Sequence, residues 1–136
     1  MGAVNVNYVA VLAAAVAGWV FGLVWYRAFA VRWMDALGKT RAQLLPNGRR
    51  RGAAIALSFV AALIMAGALA YFITAVGPIS IGSGLLTAAV CWFGFVLATV
   101  VVNTSYTGDR RALAVVASWH WLGVMLVMGV VIGAFG

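Results

Sequence analysis

The sequence predicts an all-α membrane protein: four transmembrane helices in two up-down hairpins, plus a short cytoplasmic interfacial helix. Three observations carry this expectation. The chain is 66% hydrophobic and 8% charged, whereas a soluble domain has roughly a quarter of its residues charged. All nine Lys and Arg residues fall in two short stretches, from Arg27 to Arg51 and at Arg110-Arg111. Between Arg51 and Asp109 there is no charged side chain at all. Apolar runs of membrane length, with basic residues in alternate connections, are what the positive-inside rule produces over four crossings. One membrane domain, residues 1–136, accounts for the whole length.

The first span is expected at about residues 8–26, close to the ~20 residues that cross a hydrocarbon core of ~30 Å. Asn5 and Asn7 mark its outer end, and Trp25-Tyr26-Arg27 places an aromatic pair and a cation at the inner interface. No Lys or Arg precedes it, unlike a secretory signal peptide, so it is expected to stay in the membrane.

A basic cytoplasmic loop, residues 27–52, follows. Within it Phe29, Trp33 and Leu37 recur at helical spacing, and Asp35 can pair with Arg32 and Lys39 on the other face. This reads as a helix lying in the membrane surface and ended by Gly38. Thr40 with Gln43 can cap one more turn before Pro46-Asn47-Gly48 breaks the chain ahead of Arg49, Arg50 and Arg51. That triplet is the candidate site for anionic lipid head groups.

The second span covers about 53–76, and Gly77-Pro78 makes an uncharged outer turn. The third covers about 85–106 and the fourth about 112–135. The connecting loops hold seven, zero and two basic residues in turn. Both termini are therefore expected outside the cytoplasm, in a bacterial inner membrane. With the cations beside apolar spans, lipid is the natural counter-charge and nucleic acid is not expected as a partner.

Small residues mark helix contacts. Gly18-x-x-x-Gly22 and Gly129-x-x-x-Gly133 let backbones approach, as do Ala62, Ala66 and Ala70. These serve packing within one bundle or a subunit interface. The fourth helix sharpens the choice: Ser118, Leu122, Met125, Gly129 and Gly133 share one face, and His120 points nearly opposite. If both faces avoid lipid, a second protomer is the obvious cover.

His120 is the sole histidine and the one ionisable group expected inside the hydrocarbon region. Folding the last two helices as a hairpin sets Thr99 beside it in depth, with Asn103 and Tyr106 continuing a polar stripe. Ser58 reaches a similar depth. The candidate buried polar site is therefore Ser58, Thr99, Asn103 and His120. Residues of this kind in a span are functional candidates, and a neutral imidazole is also good interhelical glue.

Catalytic constellations are scarce. One His, one Cys and two Asp in loops supply too few ligands for a metal in a single chain. No cofactor is expected. Thiol oxidoreductases need cysteine pairs, and Cys91 is alone. Small multidrug exporters share the helix count and length but depend on a carboxylate in a span, which this chain lacks.

The stretches "GLVWYRAF", "WMDALG", "ALSFVAALIMAGALAYF", "GFVLATVVVNTSYTGD" and "WLGVMLVMGVVIGAF" occur in order over nearly the whole chain. Together, and most tellingly at Trp25-Tyr26, Asn103 and Met128-Gly129, the chain resembles the bacterial membrane family called domain of unknown function 1761. Family members often carry two adjacent Asn residues where this chain has Asn103-Thr104. The resemblance implies a small bacterial integral membrane protein and assigns no catalytic residues. The expected function is a non-enzymatic structural or accessory subunit, working as a homo-oligomer or within a larger membrane complex. The alternative is a small oligomeric channel or transporter whose path passes Asn103 and His120.

Overall fold

The computed structural model describes residues 4–38, 48–107 and 111–136. Those residues form an all-helical bundle: α1 (Tyr8–Leu37), α2 (Gly48–Val76), α3 (Ile81–Cys91), a π-helical stretch (Trp92–Leu97), α4 (Ala98–Thr107) and α5 (Arg111–Ala134). Four stretches are long and apolar enough to cross a membrane: Tyr8–Phe29, Gly48–Val76, Ile81–Tyr106 and Ala114–Ala134. Among the described residues their number is the one expected from the sequence, and each overlaps one of the expected spans.

Local chemistry fixes the ends. Asn7 caps α1, its side-chain oxygen accepting from the backbone N–H groups of Val9 (3.0 Å) and Ala10 (3.3 Å). Ser80 and Ser83 form a reciprocal capping box at the start of α3. Gly38 ends α1 in the left-handed region, at φ 65°, and donates back to Asp35 and Met34.

The residues expected to form a separate surface helix are instead the last turns of α1. The helix has 30 residues, or ~45 Å at 1.5 Å per residue, so it outruns a ~30 Å hydrocarbon core. Arg32 lies over the Phe29 ring, 5.8 Å from its centroid. The expected pairing with Lys39, the cap at Thr40 and Gln43, and the break at Pro46-Asn47 lie outside the described residues, as do the side chains of Trp33 and Leu37.

Helix α5 is the axis of the bundle. It packs most extensively against α1 on one side and α3 on the other, while α2 packs chiefly on α1. Gly18 meets Met128, and Gly22 meets His120, so α1 and α5 run antiparallel. Gly84 meets Gly129, and Ser80 meets Gly133, so α3 and α5 do too. The beginnings of α1 and α3 therefore share an end with the close of α5. Arg27 and Arg32, with Arg49, Arg50 and Arg51 and the first residue of α5, Arg111, gather at the other.

The core is built of small and flexible side chains: Ala14, Ala15, Ala66, Ala70 and Ala88 around Ile73, Met128 and Ile132. Small residues bring backbones close, which matters where dispersion rather than the hydrophobic effect holds helices together. Gly18, Gly22, Gly129 and Gly133 all serve contacts inside this one chain. Within the chain α5 packs against α1 on one side and α3 on the other.

Candidate functional site

The site is built where α1, α2 and α5 meet. His120 is 5% exposed, and its ring packs between two others. Tyr26 lies with its centroid at 4.5 Å and a 44° interplanar angle, and Trp121 presents an edge at 4.7 Å. Glycine at position 22 makes room for this imidazole, because a Cβ there would lie 2.9 Å from Nε2. His120 Nδ1 is buried with no hydrogen-bond partner among the described residues.

Beside the imidazole lies a cavity of about 210 Å³. Its wall includes Gly18, Trp19, Tyr26, Ser58, Ala62 and Trp121. It reaches the surface between α1 and α2, where Leu23 and Ser58 are exposed. The Ser58 hydroxyl is already engaged: it accepts from the Trp19 indole N–H at 2.9 Å and donates to the Ile55 carbonyl at 2.7 Å. A Phe59 edge contact with Trp19, at 5.5 Å, holds the indole in place.

Residues 9–133 match the family described as Protein of unknown function (DUF1761). The chain belongs to that family. No curated protein and no solved structure matches it.

In this DUF1761 chain the expected four-residue polar site is split. Ser58 and His120 line one cavity, as expected from their shared depth, but Thr99 and Asn103 are exposed on α4 and do not line it. His120 is buried, and its ring packs against Tyr26 and Gly22 of α1. The π-helical stretch supplies a reason. Its i→i+5 turns hold more residues than an α-turn, so every later side chain is rotated about the axis. The inward register moves by one residue: Phe95, Thr99 and Asn103 are exposed, whereas Val96, Val100 and Thr104 are half-buried. The Thr99 hydroxyl bonds its own helix at the Phe95 carbonyl, and Thr104 does so at Val100.

The same stretch fastens the third span to α5 of the DUF1761 bundle. Trp92 donates its indole N–H to the Ser118 carbonyl at 2.9 Å. Ser118 and His120 thus serve opposite neighbours. Sequence reasoning set those two residues on opposite faces. Once α3 takes the Ser118 face, His120 must turn toward another helix, and Gly22 is the residue that could have identified it. Tyr26, expected as an interfacial anchor, is part of the site. A second cavity, about 200 Å³, lies between α2, the π-helical stretch and α5, with Met65, Cys91 and Met125 in its wall.

Proposed function

We propose that this protein is a non-enzymatic structural or accessory subunit of a bacterial inner membrane, with both termini outside the cytoplasm. The observation that carries the orientation is the gathering of Arg27, Arg32, Arg49, Arg50, Arg51 and Arg111 at one end of the bundle, opposite Asn7, Ser80 and Gly136. In this reading the last turns of α1 leave the hydrocarbon and meet anionic head groups with the Arg49–Arg51 triplet, while α1–α2 and the third span with α5 form two up-down hairpins.

The accessory role rests on what fills the interior. Toward the uncharged end the helices meet through Ala14, Ala70, Ile73, Met128 and Ile132, all buried and apolar. A channel through Asn103 and His120 has less support, since these residues face different surroundings. Self-association is supported by unequal coverage: 11% of the third span's most apolar window is buried, against 39% for the fourth. The exposed side of α4, with Thr99, Asn103 and Ser105, is therefore the face offered to a second copy or a larger complex. The mass of the particle in native-like nanodiscs tests this. A dimer or larger assembly supports the proposal, and a strict monomer with no co-purifying subunit refutes it.

A further inference from the structure

We propose that the cavity between α1, α2 and α5 holds one acyl chain of an anionic phospholipid whose head group is received by Arg27 and Arg51. The inference rests on the reading above that the basic end meets anionic head groups. It needs neither the accessory role nor a choice of which side that end faces.

The cavity offers carbon rather than hydrogen bonds. The Trp19 indole N–H is given to the Ser58 hydroxyl, which is itself engaged with the Ile55 carbonyl, and His120 Nδ1 is buried. Leu23, Ala62 and Val124 stand around them in the wall. The volume is about 210 Å³. An engineered apolar cavity of ~150 Å³ accepts benzene, so by proportion this one takes roughly eight carbons, a portion of an acyl chain. The mouth, at Leu23 and Ser58, is exposed on helices long and apolar enough to cross a membrane, so the tail enters from the hydrocarbon.

Moving a tail from lipid into an apolar wall gains little by itself, because lipid tails are as apolar as leucine. Selection therefore comes from charge, and cations stand above both lips of the mouth. Arg51, Ser58 and Met65 recur at intervals of seven on α2, which sets Arg51 on the stripe leading to the mouth. Arg27 follows Leu23 by one turn on α1. Both arginines are exposed. At 1.5 Å per residue the mouth lies ~6 Å below Arg27 and ~10 Å below Arg51. Head-group layers are ~5–8 Å thick on each side of the hydrocarbon, so arginines at head-group depth put the mouth beside the upper acyl chains. A second copy in the same orientation would bring its own cations to this level, like charge against like. An anionic lipid brings the opposite charge.

Photo-crosslinking tests this. The protein in phosphatidylcholine nanodiscs receives a small fraction of either phosphatidylglycerol or phosphatidylcholine carrying a diazirine on one acyl chain, and labelled residues are mapped by mass spectrometry. Ala62 and Val124 are buried and line the cavity, whereas Leu57 and Ile64 are exposed and do not. The proposal expects phosphatidylglycerol to label Ala62 or Val124 about tenfold more than phosphatidylcholine does, the order expected of two cations near an anionic group. Arg27→Gln with Arg51→Gln should remove the difference. Equal labelling of Ala62 and Val124 by the two lipids, or none, overturns the cavity site. If phosphatidylglycerol is then still preferred at Leu57 and Ile64, the head-group reading stands; if no residue prefers it, that reading falls too. Ala62→Phe, which fills the cavity, should abolish the Val124 label while helical circular dichroism is kept, and a label that persists also overturns the site. If Ala62→Phe does not fold, Ser58→Phe closes the mouth and answers the same question.

Discussion

Gly84 and Gly129 stand backbone to backbone where α3 crosses α5: a Cβ on Gly129 would lie 2.5 Å from the Gly84 carbonyl oxygen, and one on Gly84 would meet the Gly129 carbonyl. Neither obstacle is a flexible side chain, so a methyl group can be admitted only by separating the helices. Overpacking of this kind costs about 1–3 kcal/mol. Gly84→Ala and Gly129→Ala are each expected to destabilise the bundle by that amount. Gly67→Ala is the control, since a Cβ there meets nothing within 4 Å, and it should stay within about 0.5 kcal/mol of the parent. Unfolding equilibria in mixed micelles distinguish the three.

His120 contributes to stability through its ring. Aromatic pairs contribute about 0.5–1.5 kcal/mol beyond burial, and His120 makes two such contacts. His120→Phe, which keeps a ring and removes the unpaired nitrogen, should stay within about 1.5 kcal/mol of the parent, as conservative core swaps do. His120→Ala should cost about 2–4 kcal/mol by enlarging the cavity. If the Phe variant proved the less stable of the two, polar contacts would have to replace ring packing in this account.

The Trp19–Ser58 bond ties α1 to α2. Hydrogen bonds between membrane helices contribute about 0.6 kcal/mol on average and up to ~1.7 kcal/mol. A double-mutant cycle with Trp19→Phe and Ser58→Ala should give a coupling energy in that range. Additive effects would show that the bond adds nothing to stability.

The basic triplet is expected to hold its end of α2 at the head groups, each Arg adding about 1 kcal/mol of attraction near an anionic surface. Replacing Arg49, Arg50 and Arg51 with Gln should weaken binding to anionic lipid and yield mixed topology in cells. Unchanged insertion and lipid contact would make the triplet dispensable.

Much of the fold was legible because apolar length and charge position are local properties. Thirty residues without a break, in contrast, could not be read from Trp25-Tyr26-Arg27, which looks like a helix end at an interface and is followed by ten more helical residues. The site was legible in depth and not in azimuth. Ser58 and His120 were set at one level, and they share a cavity. Thr99 is expected in the polar site from its depth in the last hairpin and Asn103 from the spacing of one stripe, neither of which fixes the direction about the helix axis; past the π-helical turns at Trp92–Leu97 both are exposed. Nothing in "WFGFVL" announces such turns; Trp92, at their start, donates to the Ser118 carbonyl across the helix interface.

The proposed orientation is tested most directly by paired reporter fusions at Gly136 and within residues 39–47. Alkaline phosphatase should be active at Gly136 and inactive in the 39–47 connection, with a cytoplasmic fluorescent reporter giving the reverse pattern. Cytoplasmic fluorescence alone at Gly136, or phosphatase activity in the basic connection, would contradict an inward-facing basic end.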